Sequence, residues 1–254
     1  MNFIKRQVEI LFAAILYFTR IPLPNIFEYK QQIVNRAIIY FPYVGLLIGL
    51  MSGYLIIGFN EILPYNIAVI LTMVFNVMLT GALHNDGLAD VADGFGGGWK
   101  KEQILTIMKD SHIGAYGTIA LILYFIAEYA AISVMSVTDI VLLFMFAHVV
   151  SRTMSALTVF IGNYARIDDK TSRAADIAKP MKLPSFLFAL IPLAAILVLY
   201  INQLWIALVV AVVIWFVLYI YFKRRIGGYT GDCLGAIQQI TYLASLITIV
   251  ATWQ

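Results

Sequence analysis

Charge is what this chain of 254 residues has least of: Asp, Glu, Lys and Arg together make up 12% of it, about half the share of an average soluble domain. Hydrophobic residues reach 62% and the mean hydropathy is +0.88, which excludes both an ordinary water-soluble fold and a disordered chain. Cysteine is nearly absent. The lone Cys233 cannot form an intrachain disulfide and excludes a cysteine-built metal centre; beside Asp232 it reads as a small apolar filler. There are no heptads, no low-complexity tract, no convincing repeat and no basic stripe suited to nucleic acid, so a nucleic-acid partner is not expected.

What is abundant is long apolar sequence. A transmembrane helix needs about 20 mostly apolar residues, and the stretches near 37–59, 64–83, 115–136, 138–162, 185–201, 204–222 and 236–253 meet that requirement. The expected fold class is therefore all-α: a polytopic integral membrane helical bundle of about seven transmembrane helices, forming one membrane-embedded domain over 1–254. The first apolar run, Val8 to Phe18, is short, carries Glu9 and is closed by Thr19-Arg20-Ile21-Pro22-Leu23-Pro24. Lys5 and Arg6 precede it, but no small-residue cleavage site follows, so it reads as an interfacial or re-entrant helix that contacts lipid.

The 17 basic residues gather on one side of these spans. Lys5, Arg6, Arg20, Lys30 and Arg36 lie in the N-terminal segment; Lys100, Lys101 and Lys109 precede the third span. Arg166, Lys170, Arg173, Lys179 and Lys182 occupy the middle loop, Lys223, Arg224 and Arg225 precede the last span, and Arg152 falls toward the same end of its helix. The opposite side carries Glu61 and Asp139 and no basic residue. The positive-inside rule then sets the N-terminus and polar loops in the cytoplasm and the C-terminus outside, in a multi-pass protein of the cell (inner) membrane.

Against this background one stretch stands out: His84-Asn85-Asp86-Gly87-Leu88-Ala89-Asp90-Val91-Ala92-Asp93-Gly94-Phe95-Gly96-Gly97-Gly98. It holds three of the chain's 14 acidic residues within eight positions at the end of an apolar segment, where unpartnered charge is costly. On a helix Asp86, Asp90 and Asp93 share one face. A hard divalent cation relieves their repulsion, and Mg²⁺ accepts carboxylate oxygens while completing its shell with water and phosphate. His84 falls on roughly the opposite face unless Gly87 bends the helix. Gly96, Gly97 and Gly98 are expected to lend backbone amides to an anion, and Lys100, Lys101 and Lys109 follow closely. The bland alternative is a solvated acidic helix end.

A second polar island, Lys109-Asp110-Ser111-His112, opens directly into the third span; Ser111 suits a helix N-cap, Asp110 a further ligand, and His112 either a base or an interfacial side chain. A third, Gly227-Gly228-Tyr229-Thr230-Gly231-Asp232, follows Lys223-Arg224-Arg225, which read first as topology anchors. There Gly228, Thr230 and Gly231 offer amides and a hydroxyl, although glycines between spans are often only turns. Within the spans, His148 and Arg152 share a face, with Arg152 turned to a cavity, and Glu128 must face protein.

These motifs, with Phe18 to Pro24, Tyr40-Phe41-Pro42 before Gly45 and Gly49, and Ser151-Arg152, resemble cobalamin synthase, the adenosylcobinamide-GDP ribazoletransferase family, in order from about residue 12 to 243. The resemblance implies a Mg²⁺-dependent transferase whose partners are adenosylcobinamide-GDP and α-ribazole or its 5′-phosphate, with GMP as leaving group. In that chemistry Asp86, Asp90 and Asp93 fall to the metal. Asp110 and Asp232 are further ligands or a base for the attacking hydroxyl, Lys109 and Arg152 contact pyrophosphate, and His84 is a catalytic candidate; a homo-oligomer is compatible with all of it. Two departures stand out: Tyr242 occupies a position where many relatives carry glutamate, and the loop Asn163 to Pro184 is unusually charged.

A CDP-alcohol phosphatidyltransferase also groups aspartates and glycines, but it places Ala-Arg after its first Asp-Gly, whereas here Leu88-Ala89 follow. A cation transporter would carry acids near mid-span in several helices; here only Glu128 does. The span order is directly checkable. A topology reporter inserted after Lys101 reads cytoplasmic and one after Gln203 reads the opposite side; a cytoplasmic signal from both overturns the order.

Overall fold

The computed structural model describes residues 3–24, 31–34, 36–165 and 181–253, and among these the chain is helical, with no strand. Lys30, Arg166, Lys170, Arg173 and Lys179, placed by the charge pattern on the basic side, lie outside the described residues, as does most of the middle loop. In order the helices are α1 (Phe3–Phe18), α2 (Gln31–Val34), α3 (Phe41–Asn60), α4 (Tyr65–Thr80), α5 (Leu83–Gly97) and α6 (Lys101–Ile107). Then come α7 (Ala115–Ser133), α8 (Ile140–Ile161), α9 (Leu183–Ala189), α10 (Ile191–Ile226) and α11 (Gly231–Thr252). Proline marks their beginnings. Pro42, Pro184 and Pro192 sit in first turns, where the missing N–H has no helical partner to lose.

Among the described residues five helices are long and apolar enough to cross a membrane, and the α4–α5 pair makes a sixth if taken together, although it bends by 87°. Helix α10, counted once among the five, is interrupted at Tyr200, whose backbone is non-helical (φ −131°, ψ 22°). The rings of Phe186 and Phe160 stack at 4.5 Å, while the Trp215 indole donates to Thr158 Oγ1 at 2.9 Å. Both contacts fall at the end of α8, yet residues 191 and 215 on a straight helix would stand about 36 Å apart. The chain therefore doubles back at Tyr200, which divides this segment into two helical parts between the apolar runs 185–201 and 204–222.

Two ends of the bundle emerge. Tyr65 at the start of α4 donates to the carbonyls of Ile132 and Met135, and Trp253 donates to the Gln203 carbonyl; this end carries Glu61 and Asp139. At the other end lie α5, α6 and the α10–α11 turn with Lys100, Lys101, Lys109 and Lys223 to Arg225. The asymmetry of charge read from sequence is thus an asymmetry of the folded bundle.

Glycine holds the middle together. Gly45, Gly49 and Gly53, spaced by four on α3, lie against α8: a Cβ at these positions would meet the His148 carbonyl at 2.5 Å, Met145 Cα at 2.7 Å and Val141 Cα at 2.6 Å. Small residues at this spacing let membrane helices approach backbone to backbone. Gly49→Ala is expected to destabilise the detergent-solubilised protein by about 1–3 kcal/mol, the usual cost of overpacking. Gly58→Ala, where a Cβ meets nothing within 4 Å, stays within about 0.5 kcal/mol. Thermal unfolding checks the pair, and equal shifts refute the tight seam.

Candidate active site at a helix corner

The acidic motif owes its position to two consecutive left-handed residues. Gly81 (φ 61°) ends α4 and Ala82 (φ 57°) begins α5; for an alanine this conformation is uncommon and strained. The corner is fixed from several sides. Ala82 N donates to Val77 O, Asp86 N to Ala82 O, and Arg20 N, arriving from the end of α1, donates to Leu79 O at 2.6 Å. A Cβ at Gly81 would strike the Arg20 guanidinium.

Helix α5 consequently lies across the basic end of the bundle. Its inner face packs on α11 through Gly87, where a Cβ would meet the Asp232 carbonyl at 2.9 Å, and through Gly235, where it would meet the His84 carbonyl at 3.1 Å. Arg225 fastens the far end by donating to the Gly98 carbonyl at 2.9 Å while lying over the Phe95 ring. With the inner face committed, Asp86 stays exposed and Asp90 half-buried. Both line a pocket of about 460 Å³ together with Asn85, Lys109, Asp110, Ser111 and His112, backed by Val77, Met108, Leu121 and Phe125.

Asp110 accepts from the His112 amide at 3.0 Å and pairs with His112 Nδ1 at 2.7 Å. The amide bond first, and then the ring, hold its carboxyl below the ordinary carboxylate range. The sign follows: this tie favours the ionised group, is complete above the ordinary pKa and is lost as pH falls through the lowered one. Among the described residues Lys109 brings the one cationic side chain of the pocket wall if His112 is neutral.

Asp93 does not join Asp86 and Asp90. Its carboxylate accepts from Gly114 N at 2.7 Å and Gly117 N at 2.9 Å, capping the start of α7 from a different helix. Ser111, expected to cap that helix, therefore does not: Gly114 is the cap residue and Asp93 supplies the side chain. Among the described residues no three Asp, Glu, His or Cys groups gather as a metal cage. Asp86 and Asp90 nevertheless remain two hard-oxygen donors on one helical face, and Mg²⁺ is commonly held by one or two carboxylates with water and substrate phosphates completing the shell. The donor set fits Mg²⁺ in that manner and not as a three-carboxylate cage.

The glycine loops also do work other than anion binding. Gly96 and Gly97 lie within α5 and Gly98 N donates to Gly94 O, so these amides are spent inside the helix. A Cβ at Gly96 would enter the Tyr116 ring and one at Gly98 would meet Ile104. In the other loop Gly228 lies hard against the Asn163 carbonyl, and Tyr229 N to Asn163 O and Ala165 N to Tyr229 O pin the loop to the end of α8. Buried Thr230 caps α11, accepting from Cys233 N and donating to Asp232 Oδ2. Neither Gly228, Thr230, Gly231 nor Asp232 lines the acidic pocket.

His84 and Arg152 face elsewhere. His84 is buried, its ring 5.3 Å from that of Phe41. Arg152, 1% exposed, reaches His148 Nδ1 at 2.9 Å and lies 5.3 Å over the Phe41 ring. Both border a smaller inner cavity shared with Glu128, Tyr124, Gln238, Gln239 and Tyr242. Asn85, passed over in the sequence because its neighbours are acids, borders both cavities. Gln238-Gln239, two adjacent amides inside an apolar span, was the available signal for the inner one.

Residues 10–250 match the model of a family described as cobalamin-5-phosphate synthase. The chain is 40% identical over 252 residues to an adenosylcobinamide-GDP ribazoletransferase of Shewanella frigidimarina, covering 97% of this chain and 95% of that protein. It is 38% identical to the enzyme of the same name from Shewanella amazonensis, covering 100% and 99%, and 39% identical to that of Shewanella oneidensis, covering 92% and 91%. No solved structure matches.

The two roles of the aspartates separate by measurement. Asp93→Ala removes two charge-assisted caps and is expected to lower stability by about 1.5–3 kcal/mol, whereas Asp86→Ala, at an exposed position, changes it by less than about 0.5 kcal/mol. Thermal unfolding in detergent reads both, and an unaltered Asp93→Ala protein removes the capping role.

Proposed function

The chain belongs to the cobalamin-5-phosphate synthase family, and from that premise we propose that it moves the adenosylcobinamide phosphoryl group from adenosylcobinamide-GDP to α-ribazole or its 5′-phosphate. Adenosylcobalamin or its phosphate forms and GMP leaves, in the final stage of cobalamin nucleotide-loop assembly. A ribose hydroxyl oxygen bonds to the cobinamide-proximal phosphorus, the bridging P–O bond to GMP breaks in line, and the hydroxyl proton is released.

The observation that carries this reading is the pocket where Asp86, Asp90, Lys109 and Asp110 converge at the basic end of the bundle. At about 460 Å³ it suits the reacting pyrophosphate and an attacking hydroxyl, while the corrinoid body is far too large for it and rests outside. Such transfers depend on positioning and charge neutralisation more than on covalent chemistry. Asp86 and Asp90 would hold Mg²⁺, which supplies charge neutralisation to the pyrophosphate. Lys109 neutralises phosphate charge directly. Asp110, fixed and kept ionised by His112, orients the acceptor hydroxyl as a hydrogen-bond acceptor. Arg152, His84 and Asp232 stand behind this wall and act on substrate only through the elements they position.

The excess of Lys and Arg at the pocket end favours a cytoplasmic-facing site in the inner membrane, and the exposed apolar flanks, with Ile122, Val198 and Val209 among them, suit lipid. Purified protein given adenosylcobinamide-GDP, α-ribazole and Mg²⁺ should release GMP and form cobalamin, and chelation should stop it. Asp90→Asn should cut GMP release by about 10²-fold or more with unfolding unchanged. Turnover like that of the unaltered protein removes Asp90 from the mechanism, and no product with either acceptor form overturns the assignment.

A further inference from the structure

Four buried polar atoms have no hydrogen-bond partner among the described residues, and the side chains that carry them, paired four apart on each of two helices, line the same inner cavity: Arg152 Nε and His148 Nε2 on α8, Gln238 Oε1 and Tyr242 Oη on α11. All four side chains are at least nine-tenths buried. Unsatisfied buried groups are rare in native proteins and each requires a reason; four converging on one space share a reason. We propose that this cavity is a binding site for about two water molecules, built into the bundle interior and reached from the acidic pocket past Asn85. The proposal does not depend on the reaction assigned above.

The chemistry of the four atoms selects the ligand. Arg152 only donates, so the 2.9 Å contact from its Nη1 makes His148 Nδ1 an acceptor and leaves the ring proton on Nε2. The cavity therefore offers two donors, Arg152 Nε–H and His148 Nε2–H, one acceptor, Gln238 Oε1, and a hydroxyl that does either. The Tyr242 hydroxyl faces the Glu128 carboxyl without closing a hydrogen bond of good geometry. Two donors and two acceptors, with one bond between the waters, give each of two waters hydrogen bonds close to the usual number of about three. An anion would be opposed by Gln238 Oε1 and by the Glu128 carboxyl on the same wall. The space agrees: about 30 Å³ is open to water-sized groups, and one water needs roughly 10–15 Å³.

Val77, Asn85 and Phe125 border both this cavity and the acidic pocket. Of the three only Asn85 is polar, so it is the place where water passes between the two. Such a site also accounts for an arginine in a bundle interior with a histidine and an aromatic face as its direct neighbours: hydration accompanies the charge inward.

Radiolytic hydroxyl-radical footprinting of the full chain in detergent tests the site, because radicals form from water bound in place. Tyr242, 2% exposed, should be modified severalfold faster than Tyr229, 1% exposed and outside both cavities. Gln238→Met, which replaces the acceptor with an apolar side chain of similar length, should bring Tyr242 down toward the Tyr229 rate. Equal rates for the two tyrosines in the unaltered protein overturn the proposal. So does a Tyr242 rate that collapses when inorganic phosphate is added, which would make the occupant an anion.

Discussion

Lipid gives helices no hydrophobic reason to associate, so this bundle depends on backbones brought close enough for dispersion to hold them. The glycine seams provide that closeness. Gly45, Gly49 and Gly53 set α3 on α8, and Gly87 with Gly235 set α5 on α11. The second seam determines the first's usefulness, because α5 is the element that carries the acids. Were α5 held off by even one methyl group at Gly87, the Asp232 backbone would be displaced and with it the start of α11. The pocket is in this sense an outer consequence of an inner contact made without side chains.

The corner at Gly81 and Ala82 adds direction to that contact. An acidic helix continuing straight from α4 would leave the membrane and dissolve its carboxylates in solvent. Turned by 87°, it lies across the bundle end, with its apolar face inward and the Asp86 and Asp90 carboxylates on the pocket they share with the 109–112 segment. The strain of a left-handed alanine is tolerated because the bonds from Arg20 and the α4 and α5 ends leave the chain no other path.

Most of the architecture was legible because membranes simplify it: apolar length and charge asymmetry are local signals, and the folded helices follow them. The acidic motif was equally legible as a helix face. What failed to show was anything decided by a distant partner. Asp93 looks identical to Asp86 and Asp90 in spacing, and its use as a cap is set by amides 21 and 24 residues downstream. The glycine runs looked like anion loops, since sequence records the absence of a side chain and not the neighbour that requires it. Gly228 is small because the Asn163 carbonyl is there, and Gly96 because the Tyr116 ring is. The Gly81–Ala82 corner was invisible for a related reason, as alanine advertises helix continuation.

The separation of charges then becomes intelligible. A guanidinium set among Asp86, Asp90 and Asp110 would neutralise the carboxylates and compete with any cation they hold. Arg152 instead sits inward, bonded to His148 and covered by Phe41, while Lys109, exposed and long, meets the acids from the solvent side where its charge is screened. Asn85 stands between the two environments, carrying hydrogen-bonding capacity without charge. An aspartate there would pull Arg152 toward the pocket, and a leucine would seal one cavity from the other. A neutral amide keeps the acidic wall anionic and the interior polar, which lets one short helix serve both.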